Sequence, residues 1–254
     1  MWWFAALHAN LLLPWQRLAA PLAIGKPLLD AGCGTGGLLV RLGAAYPEHA
    51  VIGLDADAAA CASAYRKSGA AVCAGSVNAL PFAERSFAAV FSADVLCHRD
   101  VDERAALAQF HRVLCDGGLL VLNLPAYRWM LSRHDAAVAN VRRYTRASIV
   151  HLLAASGFRL LFASYWNFVL FPLMVLTRKL LPSSRRPGNT LPASDVRLYP
   201  APLDRLGRIA TGVETALLRR GIGLPCGGSV IAVAAKRGSR EPGTDVATKG
   251  TGNA

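Results

Sequence analysis

The sequence lacks the cysteine arrangements that hold structural metals. There are six cysteines: Cys33, Cys61, Cys73, Cys97, Cys115 and Cys226. None belongs to a Cys-x-x-Cys pair or to a zinc-ligand spacing. Several lie in apolar stretches, where a free thiol behaves as a small hydrophobic group. We therefore expect free thiols, a reducing cytoplasmic environment and no metal site.

A secretory signal and a clear membrane-spanning segment are also missing. The first residues, Met1–Phe4, lack the basic stretch of a secretory signal, so we expect residues 1–26 to form an amphipathic lead-in helix. An apolar run over 160–176 borders on transmembrane length, but Asn167 and Pro172 interrupt it. Its aromatic residues and the arginines that follow it are typical of the headgroup region of a membrane.

Acidic residues are scarce in the second half of the chain. Residues 1–127 carry nine Lys/Arg and ten Asp/Glu, whereas residues 128–237 carry seventeen Lys/Arg and four Asp/Glu. The net charge of +12 therefore comes from the second half. A one-sided basic surface attracts polyanions, which include nucleic acid, an anionic membrane and a phosphorylated ligand.

Glycine, by contrast, is concentrated in one short segment, 27–37. Apolar residues lead to Asp30, and glycines then alternate with small residues before an amphipathic stretch. This pattern predicts a buried strand, a tight turn and a helix N-terminus, with backbone amides bared to a ligand. A second strand over 51–55 ends in Asp55, where a carboxylate can accept hydrogen bonds from ribose hydroxyls. The segment therefore predicts a nucleoside-cofactor site.

Two cofactor classes fit this loop. Gly32, Gly34 and Gly37 match the dinucleotide pattern of a dehydrogenase. The run Asp30-x-Gly32-x-Gly34-x-Gly36 resembles instead the first motif of class I S-adenosylmethionine (SAM) methyltransferases. Further segments resemble this family in the expected order: 75–82, 86–91, 96–98 and 111–118. Later segments resemble a bacterial subgroup similar to ubiquinone methyltransferases. We therefore favour the methyltransferase family.

The resemblance implies SAM as cofactor and a set of cofactor-binding residues. These are Asp30, Gly32, Gly34, Gly36, Asp55, Ala56, Ser76, Val77 and Ser92. Ser76 departs from the family pattern, because an acid usually stands at this adenine-side position.

The alternation of strand and helix patterns predicts an α/β fold with a mostly parallel sheet. The resemblance makes this a Rossmann-like class I methyltransferase fold, with seven strands, helices on both faces and a helical insertion before the last strand. The expected organisation is a lead-in helix, a SAM-binding core, an apolar and basic insertion, a closing strand and a disordered tail: 1–26, 27–165, 166–225, 226–237 and 238–254. Within the insertion, 182–202 is expected to be a surface loop.

Candidate catalytic residues lie after the fourth and fifth predicted strands, where open α/β sheets bind ligands. His134 could act as general base with Asp135 orienting it, and His98 could face the acceptor. Tyr144 could line the acceptor pocket. Asp94, in the same segment as His98, is expected only to cap a helix.

Candidate substrate-binding residues lie in the same region. Arg142 and Arg143 could clamp a phosphate or carboxylate, and Tyr127 could line the pocket. An equally weighted alternative is structural: the His-Asp pair and the Arg-Arg-Tyr run form a salt-bridged cap that fixes the loop to the next helix.

We expect methyl transfer to a hydrophobic or lipid-linked small molecule, such as a quinone, aryl or polyene precursor, at the cytoplasmic membrane face. Apolar residues at helical spacing over 203–217, with arginines elsewhere on that helix, favour peripheral membrane contact over a nucleic-acid groove. An apolar helix that merely caps the core is the structural alternative. RNA or protein methylation, a non-catalytic SAM-binding membrane adaptor and a dehydrogenase are the other functions considered.

Overall fold

The computed structural model describes residues 2–13, 15, 22–180 and 201–237. Most of the expected surface loop and the expected tail, 181–200 and 238–254, lie outside the described residues.

Within the described residues, seven strands form one sheet in the order β3-β2-β1-β4-β5-β7-β6. The strands are β1 (Leu28–Ala31), β2 (Val51–Asp55), β3 (Ala71–Ala74), β4 (Phe87–Ala93), β5 (Leu114–Pro125), β6 (Phe158–Trp166) and β7 (Ser229–Lys236). Strand β7 runs antiparallel to both β5 and β6, and the other pairings are parallel. The expected seven-stranded, mostly parallel sheet is confirmed.

The helices are α1 (Trp2–Leu11), α2 (Gly37–Ala45), α3 (Ala58–Ser68), α4 (Glu103–Val113), α5 (Arg133–Ala137), α6 (Arg146–Ala155), α7 (Phe171–Leu180) and α8 (Ala201–Arg219). Local sequence explains where several of them begin. The Asp102 carboxylate accepts hydrogen bonds from two amides in the first turn of α4, and Thr145 and Ser148 form a capping box at α6.

The helices cover both faces of the sheet. Apolar residues of α4 and α6, among them Phe110 and Ile149, belong to the core on one face. Apolar residues of α1, α2 and α8, among them Leu11, Leu42 and Leu218, belong to the core on the opposite face. Both faces of the central strands are therefore buried, which explains their nearly continuous apolar sequences.

The helical insertion is fixed to the N-terminal helix and to the end of β6. The Asp204 carboxylate on α8 accepts a hydrogen bond from the Trp2 amide of α1 at 2.9 Å. The buried Glu214 carboxylate accepts hydrogen bonds from the Phe168 and Val169 amides at 3.1 and 2.9 Å. The segment at Phe168 and Val169, just beyond the carboxyl end of β6, is therefore held in place by α8.

Close packing between the glycine-rich turn and α3 gives a first testable prediction. Gly36 has φ +79°, and a Cβ there would lie 2.8 Å from the Ala64 Cα. Gly36→Ala should therefore lower the free energy of unfolding by about 2 kcal/mol, because it adds both a clash and a strained φ.

Gly43 provides the matched control for this experiment. It lies exposed inside α2, and a Cβ there would meet nothing within 4 Å. Gly43→Ala should raise the free energy of unfolding by about 0.5–1 kcal/mol through helix propensity. Urea denaturation measures both effects, and equal effects of the two variants would contradict the packing argument.

Candidate functional site

The turn between β1 and α2 contains three glycines with different surroundings. Gly32 and Gly36 allow close packing, whereas Gly34 faces open space. A Cβ at Gly32 would lie 2.1 Å from the Val95 Cγ2, so the loop after β4 packs directly on this turn. Gly34 has φ +50°, and a Cβ there would meet nothing within 4 Å. The backbone at Gly34 is therefore accessible to a ligand.

Most amides of this turn are bonded within the protein, contrary to the expectation that they are bared. The Gly32 amide donates to the Leu54 carbonyl at 2.7 Å, and the Gly36 amide donates to the Cys33 carbonyl at 2.9 Å. The Gly34 amide donates to the Asp55 carboxylate at 2.8 Å. The start of α2 has no side-chain cap, so amides of its first turn can donate hydrogen bonds to an anion.

Asp55 lies at the carboxyl end of β2, beside the glycine turn. Its two oxygens accept one hydrogen bond each, from the Gly34 amide at 2.8 Å and from the Asp57 amide at 3.0 Å. Each carboxylate oxygen retains capacity for a further donor, such as a hydroxyl of a bound sugar.

Asp30 is a buried acid without a full set of partners. It is 1 % exposed, and its Oδ2 has no hydrogen-bond partner in the described part of the chain. Burial, and then the neighbouring charge of Asp55, raise the pKa of Asp30 to about 8. An orphaned oxygen next to the glycine turn can accept a hydrogen bond from a ligand ammonium group.

The other predicted cofactor residues differ in their accessibility. Ala56 and Ser76 are exposed, and Ser76 accepts a hydrogen bond from the Asn78 amide through its hydroxyl. The Val77 side chain belongs to the buried core, which leaves only its backbone for binding. Ser92 is 1 % exposed and donates to the Ala31 carbonyl at 2.9 Å, so this hydroxyl joins β4 to β1.

The arginines after the fifth strand have structural partners. Arg143 forms a buried ion pair with Asp135 at 2.7 Å and donates to the Ala126 carbonyl. Burial alone would raise the pKa of Asp135, but hydrogen bonds from Ser132 and Arg143 lower it below its ordinary value. Arg142 donates to three carbonyls of the segment after β4: Leu96, His98 and Val101. This geometry supports the salt-bridged cap rather than a substrate clamp.

Tyr144 also has a structural position. Its ring is 5 % exposed, and its hydroxyl lies 2.9 Å from the Leu96 carbonyl and 2.8 Å from the Glu103 carboxylate. Burial and the Glu103 carboxylate raise its pKa above the ordinary range. The expectation that Tyr144 lines the acceptor pocket is therefore wrong, because its hydroxyl faces α4.

The two candidate histidines lie on segments beyond the carboxyl edge of the sheet. His98 is partly buried in the loop after β4, where its backbone forms a bridge to Asn140. His134 lies on α5, and its side chain is outside the described part of the structure. Asp135 does not orient a histidine through a described contact, since its carboxylate is bonded to Arg143 and Ser132.

Four aromatic rings, which we call the aromatic group, meet at the carboxyl ends of β5 and β6. They are Tyr127, Trp129, Tyr165 and Phe171. The Tyr127 ring stacks on Tyr165 with centroids 5.1 Å apart, and it lies 5.6 Å from Trp129 and 5.4 Å from Phe171. Trp129 is 54 % exposed, so the group is accessible from solvent. Of these four residues, only Tyr127 was a predicted site residue.

Asp94 directly follows β4 and has a special environment that sequence reasoning missed. It is a non-glycine residue with φ +56°, and its Oδ1 accepts a hydrogen bond from the Asn123 side chain at 3.0 Å. Burial raises the pKa of Asp94 to about 7, although the hydrogen bond from Asn123 and the charge of Arg143 oppose this shift. Raised pKa values and backbone strain together are typical of functional sites.

No group of three or more metal-ligating side chains occurs among the described residues, and all six cysteines are free thiols.

Comparison with known proteins finds a family match over part of the chain. Residues 28–118 match the family model described as a methyltransferase domain. An uncharacterised protein of Mycobacterium tuberculosis is 35 % identical over 144 residues, which cover 54 % of this chain and 48 % of the relative. An O-methyltransferase of Aspergillus nomiae is 33 % identical over 105 residues, which cover 39 % of this chain and 46 % of the relative. The chain thus spans about half the length of the curated relatives it matches.

A solved structure shares the fold over most of the chain. The geranyl diphosphate C-methyltransferase of Streptomyces coelicolor, in complex with Mg2+, geranyl diphosphate and S-adenosyl-L-homocysteine, has a TM-score of 0.59 at 14 % identity. The match covers 91 % of this chain and 80 % of that chain. At this identity the likeness establishes the fold alone.

The unpartnered Asp30 gives a prediction about stability and pH. Because its pKa is raised on folding, from 3.8 to about 8, the folded state binds a proton that the unfolded state releases over this interval. Its contribution to stability is therefore fully present at acidic pH and is lost as the pH rises towards about 8.

The test compares the wild type with Asp30→Asn, whose amide stays neutral throughout. Between about pH 5 and pH 8, the free energy of unfolding of the wild type should fall by a few kcal/mol relative to that of the variant. Urea denaturation at several pH values measures it. Parallel pH dependences of the two proteins would contradict the assignment of Asp30, whose nearest charged neighbour is Asp55.

Proposed function

We propose that the chain transfers the methyl group of SAM to a hydrophobic small molecule at a membrane surface. The match of residues 28–118 to the methyltransferase-domain model and the fold shared with the Streptomyces coelicolor enzyme support this proposal. The observation that carries this proposal is that the glycine turn, Asp55 and the aromatic group all lie along the same edge of the sheet.

The residues at this edge fit the chemical groups of SAM. Asp55 has acceptor capacity for the ribose hydroxyls, and the uncapped start of α2 suits the cofactor carboxylate. The orphaned Oδ2 of Asp30 suits the cofactor ammonium group. When bound, SAM supplies a methyl group on a positively charged sulfur. The protein contributes by holding an acceptor atom in line with that methyl group at short distance.

The aromatic group supports an apolar or aryl acceptor. Tyr127 and Tyr165 offer stacked rings, and Trp129 extends the surface towards solvent. Stacked rings bind flat or apolar molecules through dispersion and burial of apolar area. The Streptomyces coelicolor neighbour is named for geranyl diphosphate, which has an apolar hydrocarbon chain.

His98 and His134 are candidate proton acceptors, since their segments lie beyond the same edge. Arg143 is paired with Asp135, the neighbour of His134, and Arg142 donates to the His98 carbonyl. The two adjacent arginines therefore hold the loop that carries His134 against the loop that carries His98. The two segments are also joined directly, since the Arg99 amide donates to the Ala139 carbonyl and the Val141 amide donates to the Cys97 carbonyl.

The exposed surface of the insertion supports contact with an anionic membrane. Helix α8 presents a stripe of three apolar side chains, Leu206, Ile209 and Val213, which are 57, 58 and 57 % exposed. We call these residues the α8 stripe. Exposed arginines flank it on the same helix and just beyond: Arg205, Arg208, Arg219 and Arg220. Among the described helices, none has the length and apolar character needed to cross a bilayer. Apolar and basic residues in this arrangement suit a peripheral helix that inserts shallowly among anionic lipids.

Methyl transfer is tested with radiolabelled SAM and host extract, separated into lipid, RNA, protein and small-molecule fractions. Label should enter the lipid or apolar small-molecule fraction. Asp55→Ala should weaken SAM binding by at least about 100-fold in calorimetry and abolish labelling, because it removes the acceptor for ribose and releases the Gly34 turn.

Asp100→Ala is the matched control for this experiment, since Asp100 is an exposed carboxylate in the loop before α4. It should bind SAM and transfer label as the wild type does. Label confined to RNA or protein would contradict the small-molecule acceptor. SAM binding without any label transfer would favour a non-catalytic adaptor.

Membrane contact is tested by sedimentation with lipid vesicles. The wild type should bind phosphatidylglycerol vesicles and bind phosphatidylcholine vesicles weakly, with affinity falling as salt increases. A variant with serine at all three positions of the α8 stripe should lose about 10-fold or more of this affinity, because burial of apolar area is removed.

The control variant carries serine at Val40 and Tyr65, which are 42 and 60 % exposed on α2 and α3. It removes exposed apolar area elsewhere on the protein and should bind vesicles as the wild type does. An equal loss in both variants would show that vesicle binding does not involve α8.

A further inference from the structure

We propose that Asp94 is the general base of the reaction, and that its carboxylate accepts the proton of an acceptor hydroxyl as the oxygen attacks the methyl group. This assignment rests on the proposed methyl transfer. The assignment goes beyond that proposal by naming the proton acceptor and the class of acceptor atom.

Asp94 lies between the glycine turn and the aromatic group. It directly follows β4, which pairs with β1 on one side and β5 on the other. The next residue, Val95, packs against Gly32, so Asp94 adjoins the turn proposed to hold the cofactor. On the other side, β5 leads into Tyr127 and its stacked neighbours. An acceptor bound between the glycine turn and the aromatic group would therefore lie next to the Asp94 carboxylate.

The backbone of Asp94 is held in a costly conformation. Its φ of +56° lies in the left-handed region, which costs a non-glycine residue on the order of 1 kcal/mol. Its amide donates to the Asn123 carbonyl at 2.8 Å, which fixes this conformation. A helix cap does not require such a backbone, and Asp94 caps no helix in the structure, since Asp102 caps α4.

A chain of buried hydrogen bonds orients the carboxylate. The Trp166 indole donates to the Asn123 side-chain oxygen at 2.6 Å, and the Asn123 side-chain nitrogen donates to the Asp94 Oδ1 at 3.0 Å. Trp166 and Asn123 are fully buried, whereas Asp94 is partly accessible. The second oxygen, Oδ2, has no partner among the described residues and can receive a proton.

The charged surroundings of Asp94 allow both of its protonation states near neutral pH. Burial raises its pKa to about 7, and the Arg143 charge opposes the shift, with Arg143 itself paired to Asp135. The Cys97 thiol donates to the Asp94 backbone carbonyl, and burial keeps that thiol protonated. A base whose pKa lies near the working pH combines a useful ionised fraction with a strong tendency to accept a proton.

The proposed step balances in atoms and charge. The acceptor oxygen forms a bond to the methyl carbon as the bond between that carbon and sulfur breaks, and its electron pair remains on sulfur. The hydroxyl proton moves to the Asp94 Oδ2. The positive charge on sulfur and the negative charge on Asp94 are therefore both neutralised, and the acid later releases its proton to water.

Two variants test the assignment, so that the test does not depend on the folding of either one alone. Asp94→Asn retains the shape and a residue type that tolerates positive φ, and Asp94→Gly relieves the backbone strain. Both should remain folded and bind S-adenosylhomocysteine as the wild type does. Both should lower the rate of label transfer to the host lipid fraction by at least about 100-fold. Asp100→Asn, the same change at an exposed carboxylate, should leave the rate unchanged.

Two further measurements distinguish a base from a structural residue. Added formate should restore part of the rate to Asp94→Gly, because a small carboxylate can occupy the vacated space, and chloride should not. In protein labelled with 13C at aspartate carboxyls, a resonance that titrates near pH 7 should be present in the wild type and missing from Asp94→Asn.

The outcomes separate the two proposals. No label transfer by the wild type, to any fraction, would overturn the proposed function and this assignment with it. Transfer by the wild type together with an undiminished rate in Asp94→Asn would overturn the assignment of Asp94 alone. So would loss without formate rescue, or an acidic limb of the pH profile that persists in Asp94→Asn and disappears in His98→Gln or His134→Gln.

Discussion

The hydrogen bond from the Gly34 amide to the Asp55 carboxylate is the constraint on which the rest of the site depends. It joins the turns that follow two adjacent parallel strands, β1 and β2, at the same edge of the sheet. The loop after β4 then packs on this unit through Val95, because Gly32 has no side chain to keep it away. Three separate segments of the chain are thus packed together at this edge of the sheet.

The sequence predicted the parts of this edge that depend on local patterns. The alternating glycines, the strands that carry Asp30 and Asp55 and the helix after the glycines all follow from short sequence windows, and the structure has these elements in the expected order. Family resemblance supplied the strand number. The direction of the amides could not be predicted, because their partners, such as the Leu54 carbonyl, lie on another strand. The same reason explains the buried position of Ser92 and the aromatic group, which joins residues of β6 and α7 to the segment after β5.

The described arginines of the second half include two populations that composition cannot separate. Arg142 and Arg143 are held by carbonyls and by Asp135, so they contribute to structure. The arginines of α8 are exposed on the same helix as the α8 stripe. A count of charges treats both alike, whereas the contacts separate them: Arg205, Arg219 and Arg220 are exposed to an outside anion, and Arg208 is exposed but paired with Asp204. The prediction of a basic surface therefore concerned fewer residues than the sequence suggested.

Pairing also separates structural acids from functional ones. Asp135 and Glu214 are buried, and each accepts hydrogen bonds from defined donors, as buried acids in stable proteins generally do. Asp30 and Asp94 lie on or just beyond two adjacent central strands, and each has an oxygen without a described partner. Both have a raised pKa, and Asp94 also has a strained backbone. Burial without pairing costs stability, and of these two acids it applies to Asp30, whose Oδ2 lies buried beside the glycine turn, so the proposed cofactor would supply the missing partner there.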